Sequence, residues 1–183
     1  MRVIDFFLSL LLLILLIPLI LFIIFLLFFS QNNILYLSER IGKNGKKFNL
    51  LKFSTIKKKN TIPSKEEFSR FGKFLRRSSF DEIPQLLNVL IGDMSLVGPR
   101  PLPENIEKKI PNKLKIIRRT VFPGITGNSQ INYKGVKRSL IEKVNEDLVY
   151  IRNKNFLNYF KILCITPFYI IIKYNKNKSG YSL

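Results

Sequence analysis

The sequence predicts an α+β protein: an N-terminal re-entrant membrane helix hairpin broken at a proline, a small β-hairpin, and amphipathic helices lying at the membrane interface. Three observations lead there. An apolar run from Phe6 to Phe29 holds 24 residues, of which only Ser9 is polar and one, Pro18, breaks helices. Two short runs rich in β-formers flank Asn44-Gly45. Further along, apolar side chains recur at three- and four-residue spacing.

As a helix the apolar run measures about 36 Å, enough to cross a hydrocarbon core of roughly 30 Å. No A-x-A-like cleavage site follows it, only Ser30-Gln31-Asn32-Asn33, so the segment is expected to be retained. Pro18 near its middle lacks the N–H that a helix needs and clashes with the carbonyl four residues back. The segment either spans with a kink or bends at Pro18 and returns to the face it entered. Arg2 and Asp5 favour the return, because neither charge then crosses the bilayer. Residues 1–30 are therefore expected to be membrane-embedded and 31–183 to form the domain outside.

Ile34 to Arg40 and Lys46 to Phe53 read as a hairpin, with Asn44-Gly45 supplying a type I′ turn. Lys57-Lys58-Lys59-Asn60 reads as a polar loop. Phe68, Phe71, Phe74 and Leu75 line one side of a helix over Phe68–Arg77 whose outer face is basic. A second helix starts at Asp81–Ile83, since Pro84 is tolerated only in a first turn, and stops before Gly92. Pro99–Pro103 and Pro123–Gly127 read as loops. Ser139–Tyr150 reads as helix. Residues 156–173 are apolar but interrupted by Lys161, Thr166 and Pro167; their longest uncharged piece, Ile162–Ile172, is 11 residues, too short to span. This segment either lies flat on the membrane, with Phe156, Tyr159, Phe160, Phe168 and Tyr169 as anchors, or packs in the core.

Composition narrows the chemistry. Among 183 residues there is no histidine, which excludes Ser-His-Asp and Cys-His triads and histidine-ligated zinc. The single cysteine, Cys164, forms no internal disulfide and reads as packing. Lys and Arg number 31 against 12 Asp and Glu, a net charge of +19, so the partner is anionic. The whole excess follows position 30, where 30 basic and 11 acidic residues lie, which places that side in the cytoplasm by the positive-inside rule. With a membrane segment attached, the basic face is expected to meet anionic lipid headgroups rather than nucleic acid. Gly42-Lys-Asn-Gly45-Lys-Lys47 has the wrong glycine spacing for a P-loop, and the Gly-x-x-Gly of KH domains joins helices, not strands.

Asp81-Glu82 is an adjacent acidic pair just after Arg76-Arg77-Ser78-Ser79, in a chain otherwise poor in acids. One reading is a helix N-cap that satisfies orphan amides. The other is a reactive carboxylate: amides and arginines keep it ionised and attract phosphate, and a divalent cation offsets the repulsion between carboxylate and diphosphate. Mg2+ suits that role, because it takes one or two carboxylates plus phosphate oxygens.

Three stretches go beyond composition. They are Glu39-Arg-Ile-Gly-Lys-Asn-Gly-Lys-Lys-Phe48 with Leu51-Lys-Phe-Ser-Thr55, then the run from Phe71 through Asp81-Glu-Ile-Pro-Gln85 to Gly98-Pro-Arg-Pro101, then Pro123-Gly-Ile-Thr-Gly127. Together they resemble the bacterial sugar transferase family, the monotopic phosphoglycosyl transferases, over nearly the whole chain from Arg2 to about Lys173. The resemblance implies transfer of a sugar 1-phosphate from a nucleotide diphosphate sugar, with a UDP-sugar the expected donor, to polyprenol phosphate, starting glycan assembly on the cytoplasmic face of the bacterial inner membrane. It implies that Asp81 is the nucleophile and forms a covalent phosphosugar, that Glu82 supports it, and that Mg2+ bridges Asp81 and the diphosphate. Two displacements then give ping-pong kinetics. Matching basic positions Lys52, Arg76 and Arg100 would hold phosphates, with Pro99 at the site mouth and Gln130 nearby. Downstream glycosyltransferases are further expected partners.

The chain departs from the family pattern at three places. Phe122 stands where arginine usually precedes Pro-Gly-Ile-Thr-Gly, leaving Arg118 or Arg119 as candidate substitutes. Ile17-Pro18 replaces Ser-Pro at the membrane break, and Tyr133 stands where glycine is common. Loss of the arginine motivates an alternative, a catalytically impaired membrane-surface scaffold of the same fold.

Overall fold

The computed structural model describes residues 1–29, 33–56, 69–132 and 138–178. The polar loop at 57–60, the helix start at Phe68, Ser30-Gln31-Asn32 and Tyr133 lie outside the described residues. The fold mixes helices with two small two-stranded sheets, as an α+β chain should.

Helix α1, Arg2–Phe29, is helical through Pro18 and is the one described helix long and apolar enough to cross a membrane. It lies along the rest of the molecule. Leu8, Leu12, Leu13 and Leu16 pack on a core of Phe48, Leu50, Val89, Leu96, Tyr150 and Ile162. Its second half puts Ile23 and Leu27 into a smaller core with Phe53 and Leu75. Its first turn is fixed by polar contacts. The Asp5 carboxylate accepts from Ser95 Oγ at 2.9 Å, Leu96 N at 2.9 Å and Tyr159 Oη at 2.6 Å, and Arg2 donates to the Met94 carbonyl at 2.7 Å. A buried carboxylate is tolerable only with such donors. The opposite face leaves Phe7, Leu11, Ile14, Leu15, Leu21, Phe22, Phe25 and Phe28 exposed.

Strands β1, Leu35–Ile41, and β2, Lys47–Phe53, pair antiparallel with Tyr36 opposite Lys52 and Arg40 opposite Phe48. The turn is longer than a two-residue type I′ loop. Asn44 (φ 54°) and Gly45 (φ 79°) do take positive φ, but the Asn44 N–H is drawn to the Arg119 carbonyl at 2.8 Å, and pairing closes instead at Gly42 N to Lys46 O.

Helix α2, Arg70–Ser78, is capped by Ser69, whose Oγ accepts from Gly72 N. It ends at Ser79 in the left-handed region, and a single 3-10 turn, Phe80–Glu82, leads through Pro84 into α3, Gln85–Ile91, which stops at Gly92 (φ 100°). One expected loop, Pro123–Gly127, contains strand: β4, Gly124–Thr126, runs parallel to β3, Ser95–Val97, which lies just before the Pro99–Pro103 loop. Glycine makes this possible, since a Cβ on Gly124 would collide with the Gly98 backbone. Short helices α4, Glu104–Glu107, α5, Asn112–Arg118, and α6, Asn128–Ile131, connect to α7, Leu140–Arg152, which opens on a Ser139/Glu142 capping box.

Helix α8, Phe156–Lys178, passes through Pro167 and is two-faced. Ile162 and Tyr159 are buried, while Phe156, Leu157, Phe160, Phe168, Ile171 and Ile172 are exposed. Tyr159 is thus no interface anchor; its hydroxyl is committed to Asp5. Cys164 lies on the exposed side and does not pack in the core, because the buried stripe of α8 runs through Tyr159 and Ile162 instead.

Candidate active site

The left-handed Ser79 turns the chain sharply between α2 and α3 and presents Asp81 and Glu82 on the intervening 3-10 turn. The N-cap of α3 is Pro84, which has no side-chain oxygen, so the reading of this pair as that helix's cap does not hold. Asn88 fixes the turn against the hairpin: its Oδ1 accepts from Leu51 N at 3.0 Å and its Nδ2 donates to the Asn49 carbonyl at 2.9 Å. An amide side chain thereby substitutes for a neighbouring strand along β2 and fixes Lys52, one residue beyond Leu51, beside the acidic pair.

Lys52 Nζ lies 2.7 Å from Glu82 Oε1 and 3.8 Å from Asp81 Oδ2. Arg100 Nη2 meets the same Glu82 oxygen at 3.0 Å. Burial alone would raise the Glu82 pKa, but the charges of Arg100 and Lys52 and their hydrogen bonds outweigh it and hold the carboxyl at about 2. The Arg100 pKa is raised in turn, chiefly by Glu82. Glu82 is therefore an anchored anion. Asp81 is nearly buried, with its side chain 10% exposed, and stays within the field of the same lysine.

The other predicted residues divide. Arg76 reaches the edge of the hairpin, with Nε on Thr55 Oγ1 at 3.0 Å. Pro99 is buried and its carbonyl accepts from Gly124 N at 2.9 Å, so it supports Arg100 through the β3–β4 junction. Gln130 serves the same junction, donating to the Ile125 carbonyl and accepting from Ser129. Arg118 and Arg119 are not free to replace an arginine at 122. Arg118 pairs with buried Asp147 at 3.0 Å and donates to the Arg100 carbonyl at 2.8 Å; Arg119 forks onto Glu107. Phe122 fills its position differently, with the Arg2 guanidinium 5.1 Å and the Lys43 ammonium 4.6 Å from its ring centre.

Among the described residues no group of three or more Asp, Glu, Cys or His stands together. The described residues thus offer no dedicated protein cage for a metal. One hard carboxylate, Asp81, beside cations suited to phosphate matches Mg2+, which keeps waters and takes substrate oxygens for most of its shell.

Comparison with known proteins fits this arrangement. The family model for bacterial sugar transferases matches residues 1–173. The chain belongs to the bacterial sugar transferase family. This sugar transferase is 41% identical over 138 residues to EpsL of Bacillus subtilis, named an uncharacterized sugar transferase, with 73% of this chain and 67% of EpsL aligned. It is 34% identical over 165 residues to the UDP-glucose:undecaprenyl-phosphate glucose-1-phosphate transferase of Klebsiella pneumoniae, covering 83% of this chain and 35% of that protein. It is 33% identical over 138 residues to a UDP-N-acetylgalactosamine-undecaprenyl-phosphate N-acetylgalactosaminephosphotransferase of Aeromonas hydrophila, covering 68% and 32%. The sugar transferase chain thus spans about a third of those two longer relatives.

Sequence reasoning missed Asn88, Asp147 and the role of Asp5. A polar residue inside a short apolar helix, as in Leu86-Leu87-Asn88-Val89, was the available signal for Asn88. Nothing local marks Asp147 as the partner of Arg118, 29 residues away.

Proposed function

We propose that this chain transfers a sugar 1-phosphate from a nucleotide diphosphate sugar, a UDP-sugar first among them, to polyprenol phosphate at the cytoplasmic face of the bacterial inner membrane. The observation that carries the proposal is the Asp81–Glu82 pair held by Lys52 and Arg100. In the first displacement an Asp81 oxygen attacks the sugar-bearing phosphorus. A new O–P bond forms as the P–O bond to the nucleotide breaks, and nucleoside monophosphate leaves with the electron pair. In the second, a phosphate oxygen of the polyprenol phosphate attacks the same phosphorus and restores the Asp81 carboxylate. Two steps of this kind give ping-pong kinetics.

Glu82 stays ionised throughout and fixes Lys52 and Arg100, whose charges offset the negative charge gathering at phosphorus. Mg2+ bound at Asp81 would supply further charge neutralisation between carboxylate and diphosphate. Arg76, bound to Thr55 beside the hairpin, would bind phosphate from that side, while Pro99 and Gln130 would hold the loop that carries Arg100.

Both halves of α1 packing on the same domain favour a membrane segment that enters and returns on one side, bent at Pro18, over one that crosses. Its exposed apolar face and that of α8 would then meet lipid, with anionic headgroups drawn to the surplus of lysine and arginine. Downstream glycosyltransferases would take the lipid-linked product. The scaffold alternative rests on Phe122 alone, and the assembled dyad weighs against it.

The test is purified protein with Mg2+, polyprenol phosphate and a panel of nucleotide diphosphate sugars, followed by nucleoside monophosphate release and by mass spectrometry of the quenched chain. One donor should give turnover and a phosphosugar on Asp81, and Asp81→Asn should abolish both. Full turnover in Asp81→Asn would overturn the assignment.

A further inference from the structure

We infer that Arg40 is an additional phosphate-binding residue of this site, forming with Lys52 and Arg100 a three-cation cradle for the phosphate oxygens brought to Asp81; this rests on the transferase reading above. The hairpin register carries it first. Side chains at even positions of β1 and β2 share one face, the one that buries Phe48 and Leu50 and displays Lys52 beside the dyad. Arg40 lies on that face. The next residue then ties β1 to the Arg100 loop: Ile41 forms an isolated bridge with Leu102 and donates to its carbonyl at 3.1 Å. Arg40 and Arg100 are therefore brought to the same end of the site by backbone pairing.

Arg40 lacks the compensation that the other site cations have. Lys52 and Arg100 both hold Glu82, and Arg76 has Thr55. Among the described residues Arg40 forms no ion pair, and its Nε is buried without a hydrogen-bond partner. The charged and titratable groups that act on it are Arg100, Tyr36 and Glu82; burial first and Arg100 second push its pKa down, against the pull of the other two. A half-buried guanidinium beside a second arginine, with an unsatisfied donor, is unfavourable until an acceptor with charge arrives. Glu82 does not supply it: its carboxylate is held by Lys52 and Arg100, and no hydrogen bond joins it to the Arg40 Nε. Arg40 thus adds a third cation to Lys52 and Arg100 beside the carboxylate pair, and phosphate oxygens would supply the charged acceptor that its Nε lacks. The planar fork of arginine suits phosphate oxygens better than a point charge does.

The full chain in lipid nanodiscs provides the test. With Mg2+ present, inorganic pyrophosphate should raise the melting temperature of the wild type, and Arg40→Met and Arg40→Gln should need at least about tenfold more pyrophosphate for the same shift. Single-turnover experiments then identify the phosphate. Slowed nucleoside monophosphate release in the absence of polyprenol phosphate assigns Arg40 to the donor diphosphate; slowed discharge of the phosphosugar alone assigns it to the acceptor. Arg40→Gln, with a shorter polar chain that keeps a hydrogen-bonding end, serves if Arg40→Met does not fold. Unchanged pyrophosphate protection together with both half-reactions within twofold of wild type would overturn the inference. Arg40-dependent pyrophosphate binding in a protein that turns over no donor would instead sink the transferase reading and leave Arg40 as a phosphate ligand.

Discussion

Lys52 and Glu82 meet at 2.7 Å across the gap between β2 and the 3-10 turn, 30 residues apart in sequence, and the same ammonium stands 3.8 Å from Asp81. This one side chain reaches both carboxylates, and with Arg100 it holds Glu82 ionised. It lies in the strand and not in the acidic turn, so the dyad is complete only when the hairpin is seated on α3 through Asn88.

Replacing Lys52 with Met removes one of the two cations that keep Glu82 at about 2, below its ordinary 4.5. Arg100 remains, so the pKa of Glu82 rises only part of the way back. The sign for stability follows from a depressed carboxyl: its contribution is complete above about pH 4.5 in the wild type and is lost as the pH falls towards 2. In Lys52→Met the loss still sets in near pH 4.5 but is smaller and ends at higher pH, read as a Glu82 carboxyl resonance whose titration midpoint moves up. Turnover at neutral pH should fall by about a hundredfold or more, the scale for losing a charge aimed at the reacting centre. A Glu82 titration identical in the two proteins would show that Lys52 does not set its charge state.

How much of this was legible beforehand depends on the range of the interaction. Asn44-Gly45 and Gly92 announce a turn and a helix stop because the physics is local, and the structure has positive φ at each. The acidic pair was visible because carboxylates are scarce in this chain. By contrast β4 was hidden inside the Pro123–Gly127 segment that read as a loop, and β3, three residues just before Pro99, carried no signal of its own; their pairing depends on close approach of Gly98 and Gly124. Tyr159 read as an aromatic anchor because sequence does not reveal that Asp5, 154 residues away, waits for its hydroxyl. Arg118 read as a spare cation for the same reason: Asp147 is found only by folding.

That buried pair makes a sharp stability prediction. The side chains of Arg118 and Asp147 are 6% and 4% exposed, and Arg118 also holds the Arg100 carbonyl. Asp147→Ala strands a guanidinium in the interior, which costs about 3–5 kcal/mol. Replacing both partners together, Arg118→Met with Asp147→Leu, removes the stranded charge and should restore much of the lost stability in chemical denaturation. The double variant should still be slower in turnover, because the Arg100 main chain has lost its donor. Equal stability of Asp147→Ala and wild type would mean that the pair is solvated after all.

Phe122 tests whether the missing family arginine can simply be put back. Its ring contacts two cations, Arg2 at 5.1 Å and Lys43 at 4.6 Å, and Arg2 is itself tied to the Met94 carbonyl. Each such contact at a partly exposed site is worth about 0.5–1 kcal/mol. Phe122→Arg deletes both and adds a third positive charge between the two already there, so in the absence of anions the variant should lose about 1–2 kcal/mol and melt a few degrees lower. High salt should narrow the gap, since part of the loss is screened repulsion. Arg118 and Arg119 remain locked to Asp147 and Glu107 and cannot move to relieve it. Nucleoside monophosphate release should not rise above wild type, because Arg2 and Lys43 already supply positive charge at this position. A Phe122→Arg protein that melts higher at low salt and turns over faster would show that the ring is a defect and not a replacement.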